Sequence, residues 1–323
     1  MPILPTSAWS GWLDRRQIAL YLSSMIAAAL LAWVWPPPDG LAQAINPALA
    51  LMLFATFLPL PLSRLRQALR HRRFLLALCV ANFIAVPLLV AGLLHWVALT
   101  PVVAIGVAMV LLCPCVDYVV TFSGLGGADS RLLLAATPLL LLLQMLLLPV
   151  WLTLLFHDAA IAVSGAPFLA AFLTLIALPL GLAGLCQRWG NRSPTGARIN
   201  IWLGILPVPA TAVVLVLVTA FVTPQLAMAG QTVRQVLPVY LLFAMAMPAV
   251  GWMVARGFGL DAPAARAIVF SVSTRNALVI LPLALTVPGA MPLMPAVVVT
   301  QTLVELLAQL VYIRWTPRMR FER

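Results

Sequence analysis

Charge is scarce in these 323 residues, and lysine is missing altogether. A soluble globular chain carries roughly 25% charged residues. Here the figure is 8%, hydrophobic residues make up 63%, and mean hydropathy is +1.08. No water-facing surface can be built from that inventory, so lipid must cover most of the exterior. All 19 basic residues are arginine, and with 8 acidic ones the net charge is +11. So basic a balance invites a nucleic-acid reading. The arginines, however, fall in short connections between apolar runs and do not interleave with aromatics on a soluble domain. Nucleic acid is therefore excluded as a partner, and a bilayer is implied.

Other absences narrow the function. No phosphate-binding loop of the G-x-x-x-x-G-K-[ST] kind is present, which excludes a pump driven by its own ATP hydrolysis. There is no G-x-S-x-G nucleophile elbow and no pair of catalytic carboxylates. His71, His95 and His157 lie near span ends, far apart and without zinc spacing. Neither an enzyme with catalytic residues, nor a cofactor, nor a metal site is expected. Cys79, Cys113, Cys115 and Cys186 sit in or beside apolar runs, which implies no extracellular disulfide framework.

What is present is apolar length. A spanning helix needs about 20 largely apolar residues, and Pro, Gly and Arg punctuation then divides the chain into ten spans. They run approximately 17–35, 42–62, 74–95, 101–122, 132–156, 167–187, 201–221, 235–255, 264–287 and 293–314. The first, preceded by Arg15 and Arg16, is long enough to be a retained helix and not a signal peptide. The expected fold is an all-α polytopic membrane protein, residues 1–323 forming a single transmembrane transporter domain.

Arginine placement sets the orientation. Arg15 and Arg16, then the 64–73 cluster, Arg131, the group at 188, 192 and 198, Arg256 with Arg266, and the C-terminal group all fall on one side. The alternate connections hold only Arg234. By the positive-inside rule both termini are cytoplasmic, in a bacterial inner membrane. Five spans per half is an odd number, so two similar halves, approximately 17–156 and 167–314, would form an inverted repeat. Spans four and nine hold equivalent places and are both irregular.

Span four carries Cys113-Pro114-Cys115, where proline should open the helix, with Asp117 and Tyr118 just beyond. A carboxylate at bilayer depth costs roughly 2.5–3.5 kcal/mol even on a lenient scale. Asp117 is thus a candidate proton-coupling residue. Span nine crowds Ser271, Ser273, Thr274, Arg275 and Asn276 between two apolar arms, a set able to satisfy freed backbone groups and bind a solute. Asp117 and Arg275 either form a structural ion pair or line the transport site. In the second case Arg275 attracts an anion or holds Asp117 deprotonated. In span ten, Gln301, Glu305 and Gln309 share one helical face, expected to pack on span nine or to feed the cavity. Gln144 is the nearest first-half counterpart. Two thiols flanking a proline are either small core residues or ligands for a soft solute.

The ten spans with broken fourth and ninth helices resemble the bile acid/sodium symporter superfamily, which includes the arsenical-resistance carriers. The most specific stretches are Cys113-Pro-Cys-Val-Asp-Tyr-Val-Val-Thr-Phe-Ser-Gly-Leu-Gly-Gly-Ala-Asp129 and Phe270-Ser-Val-Ser-Thr-Arg-Asn-Ala-Leu278. The resemblance implies a secondary transporter of arsenite or antimonite, with proton exchange, or alternatively of an organic anion. It also implies that Cys115 stands where arsenical carriers need a cysteine. Cys113, Cys115, Ser273, Thr274, Arg275 and Asn276 would then bind solute, with Tyr118, Gln301 and Glu305 as supporting polar groups. The family's broken ninth helix tends to carry a glutamate, whereas this chain has Leu278 or its neighbours there, and Arg275 adds a fixed cation. The first departure points away from a sodium site, and the second favours a proton mechanism through Asp117 or an anionic solute.

Overall fold

Proline and the helix caps decide where the apolar runs stop, bend or widen. The computed structural model describes residues 5–35, 37–38, 40–59, 71–116, 118–156, 170, 173–285, 287, 289–291 and 293–319. In chain order the helices are α1 (Pro5–Val34), α2 (Leu41–Phe57), α3 (Arg72–Val80), α4 (Val86–Trp96), α5 (Pro101–Leu112), α6 (Tyr118–Leu125) and α7 (Ser130–Leu155). Then come α8 (Leu178–Gly190), α9 (Pro194–Leu203), α10 (Pro207–Val222), α11 (Leu226–Gly257), α12 (Ala262–Ser273), α13 (Ala277–Ala284) and α14 (Leu293–Trp315). Wide π turns at Ala81–Ala85 and Leu173–Ala177 lead into α4 and α8. Among the described residues the only extended pairing is a single bridge, Pro114 with Arg275.

Among the described residues, five helical stretches are long and apolar enough to cross a membrane: Arg16–Val34, Arg72–Trp96, Ser130–Leu155, Ala229–Gly257 and Leu293–Arg318. A sixth arises if α9 and α10, bent by 42°, count as one. The shorter apolar helices α2, α5 and α12 fall within other expected spans. The chain is therefore an all-helical, multi-pass membrane protein.

Two compact units divide it: residues 1–60 with 165–228, and 61–164 with 229–323. Each takes a stretch from both proposed halves. In the first unit, α10 packs on α1 and α2, and α8 on α2 and α9. Gln187 donates to the carbonyls of Phe57 (3.2 Å) and Leu58 (2.8 Å), satisfying acceptors at the end of α2.

In the second unit α5 and α12 are the central helices. Every residue of α5 from Val103 to Leu112 is buried, as in a helix apolar on all sides. Close approach is made possible by glycine. A Cβ on Gly251 of α11 would lie 3.0 Å from the Cα of Val269 and 2.7 Å from Val272 Cγ2 in α12. The outer faces of α7, α11 and α14 instead expose Leu146, Met245 and Val311, suited to acyl chains. Exposed tryptophans end several helices: Trp35 after α1, Trp96 in α4, Trp315 in α14. That is the position aromatic belts take at the lipid–water interface.

Candidate functional site

The site lies where the two broken spans cross within the second unit. Cys113 precedes a proline, and the helical conformation is disfavoured there. It adopts φ −97°, ψ 105°, and α5 ends at Leu112. In span nine no proline is needed for the break. Thr274 is extended (φ −116°, ψ 125°), and the Asn276 side chain accepts from Val279 N–H at 3.4 Å to start α13. The two extended stretches then pair. Cys115 N–H donates to the Thr274 carbonyl (3.2 Å) and Asn276 N–H to the Cys113 carbonyl (2.9 Å). Backbone groups released by each break are thus satisfied by the other, which lipid would not do.

Side chains complete the task. Thr274 Oγ1 donates to the Phe270 carbonyl (2.7 Å) and accepts from Gln309 Nε2 (2.8 Å). Arg275, with no exposed surface, sends its guanidinium between the two central helices. It donates to the carbonyls of Leu111 (3.3 Å) and Ser271 (2.6 Å) and to Asn82 Oδ1 (3.0 Å), and lies 5.8 Å from the ring centre of Phe243. Asn82 is itself fixed, its Nδ2 donating to Ser271 Oγ (2.9 Å) and to the Leu78 carbonyl (3.1 Å). A buried cation is tolerable only when hydrogen-bonded in this way. Both Leu111 and Ser271 belong to final helical turns, where the helix dipole is negative.

Glu305 on α14 faces the backbone of the same crossing. Its Oε2 accepts from Arg275 N–H (2.6 Å) and Gln301 Nε2, and its Oε1 from Tyr118 OH (2.6 Å). Tyr118 OH also lies 3.3 Å from the Arg275 carbonyl. Beside this carboxylate is a constricted cleft of about 10 Å³, the space of a single water, lined among others by Tyr240, Phe243, Ser273, Gln301 and Glu305. Tyr240 OH, Ser273 Oγ and Gln301 Oε1 are buried without a hydrogen-bond partner among the described residues.

The expected residues are distributed as follows. Cys113, Cys115, Thr274, Arg275 and Asn276 meet at the crossing, and Ser273, Gln301 and Glu305 line the cleft. Both cysteines there are fully buried, and none of the chain's four is in a disulfide. Asp117 lies outside the described residues. Gln309 reaches span nine through Thr274 and Glu305 through the Arg275 N–H, Gln301 donates to Glu305, and both Gln301 and Glu305 line the cleft. Gln144 is buried in α7 with neither amide atom bonded among the described residues. Sequence reasoning missed Asn82, Tyr240 and Phe243. For Asn82 a signal existed: an amide in an apolar run, five residues before Pro87. Pro87 offers no N–H to the Phe83 carbonyl, and the helix widens at Ala81–Ala85. Among the described residues, no group of three or more His, Cys, Asp or Glu is placed to hold a metal ion.

Residues 46–230, more than half of the chain, match the family described as the Sodium Bile acid symporter family. The matched stretch contains span four and ends before span nine. No curated protein matches the chain.

Proposed function

Since the chain belongs to the sodium bile acid symporter family, a family of transporters and not of enzymes, we propose that it is a secondary carrier expelling arsenite or antimonite in exchange for protons. Members of the family carry small solutes across membranes, typically with sodium. The finer reading rests on the crossing. At neutral pH both oxyacids are small uncharged trihydroxides, able to donate and accept hydrogen bonds. Opened by the transport cycle, the cleft would offer Gln301 Oε1 as an acceptor and the Tyr240 and Ser273 hydroxyls as either partner, all three atoms unpaired among the described residues. Cys113 and Cys115, on the neighbouring extended segment, supply thiols of the kind trivalent arsenic binds. The backbone pairing of that cysteine segment with span nine, whose Ser273 lines the cleft, carries the proposal. The organic-anion alternative needs a guanidinium open to a carboxylate, and both terminal nitrogens of Arg275 already donate to protein oxygens.

In this reading Glu305 carries the exchanged proton together with Asp117, and the halves 17–156 and 167–314 form an inverted repeat in a bacterial inner membrane, both termini cytoplasmic. Reconstituted protein should move arsenite when a pH gradient is imposed. Cys115→Ser should reduce that flux at least tenfold with normal protein yield. Flux of bile acids or carboxylates in place of arsenite would reject the solute assignment.

A further inference from the structure

Two half-helices, α5 and α12, point their C-terminal ends at one spot, and the spot holds a charge that belongs to the chain. The Leu111 and Ser271 carbonyls come from those ends, and Asn82 Oδ1 from the π turn. Asn82 is oriented for this by its own two donations, which leave its oxygen towards Arg275. Carbonyl and amide oxygens gathered at broken helices are the donor set that transporters use for sodium, and hard cations take such oxygens. In this chain the three oxygens are engaged by the Arg275 guanidinium, which no surface exposes. The residues at this crossing therefore do not fit a sodium ion, although the family is one of sodium symporters.

We propose that the Arg275 guanidinium is a tethered stand-in for a coupling sodium ion, making this carrier independent of sodium. The inference builds on the transporter reading above but not on the identity of the solute. A sodium ion brings its charge in with each cycle and leaves with it. A guanidinium on the backbone of span nine supplies the same neutralisation of two negative helix ends permanently. It can hold the crossing together, but it cannot be driven across the membrane by a gradient.

The test uses purified full-length protein and reads thermal unfolding, with sodium chloride compared against choline chloride at equal ionic strength. Wild type should melt at the same temperature in both. Arg275→Ala should melt lower, and sodium, or guanidinium chloride at low millimolar concentration, should raise its midpoint by about 2–4 °C. Choline should leave it unchanged. A saturable rise of the wild-type midpoint with sodium would overturn the proposal. So would a folded Arg275→Ala protein indifferent to both sodium and guanidinium. If that variant does not fold, the wild-type comparison decides, together with flux into proteoliposomes under a sodium gradient at fixed pH. Sodium-driven flux would refute the inference, and its absence would support it. Failure of arsenite transport leaves these melting results untouched, so the two readings fail separately.

Discussion

At the scale of single residues, the crossing is governed by which polar atom faces which. Asn82 gives its oxygen to a buried guanidinium and its amide hydrogens to Ser271 and Leu78. A hydrogen bond to a charged group contributes about 1.5–3 kcal/mol, and Asn82→Leu should destabilise the protein by about that much. Asn82→Asp keeps an acceptor facing Arg275 and should be milder. Comparative melting of the two variants checks this. Glu305 accepts three donors on two oxygens. A glutamine there can turn its oxygen to Arg275 N–H and Gln301 and its nitrogen to the Tyr118 hydroxyl, so Glu305→Gln should fold. If the carboxylate carries the proton, that variant should lose flux driven by a pH gradient while retaining solute exchange between equal pools. Retention of the pH-driven component would remove Glu305 from the coupling step.

The elements show which parts of the arrangement a reader of the sequence can reach. The break in span four was legible because Pro114 both lacks a donor and restricts its predecessor. That in span nine was legible because five polar residues in six positions have no use in a lipid-facing helix. The partnership between the breaks was not legible. It depends on two backbone hydrogen bonds between stretches that periodicity cannot align. Hydropathy likewise records how apolar a span is and not which spans group together, so the division into two interleaved units had no linear signal. The role of Glu305 at the Arg275 backbone belongs to the same class, since a carboxylate's partner is chosen by packing. Glycine at the α11–α12 contact is open to test. With the Val269 backbone 3.0 Å from its would-be Cβ, Gly251→Ala cannot be absorbed by a rotamer change alone. Overpacking of this kind costs about 1–3 kcal/mol, and a matching loss of thermal stability is expected. Alanine at Gly92, with nothing within 4 Å of its Cβ, should cost nothing by comparison.

For the whole molecule, the distribution of charge determines what a transport cycle does to the membrane voltage. Under the proposed function, with Arg275 fixed to the chain, the mobile species would be an uncharged oxyacid and a proton. Each one-for-one exchange then moves one net positive charge inward. An inside-negative potassium diffusion potential should accelerate arsenite efflux from proteoliposomes. A voltage-sensitive dye should register depolarisation as solute leaves preloaded proteoliposomes. Flux that ignores the imposed voltage would contradict this stoichiometry.

The bridge between Pro114 and Arg275 also bears on how the protein is made. Leu111 and the arginine that satisfies its carbonyl are separated by 164 positions, and synthesis at about 5–20 residues per second delays their meeting by on the order of ten seconds or more. Throughout that interval the newly inserted first half must keep open carbonyls and a proline-broken helix away from acyl chains. Shelter by the insertion machinery would therefore be a condition of survival for the nascent chain, and truncations ending before residue 275 should be degraded rather than accumulate.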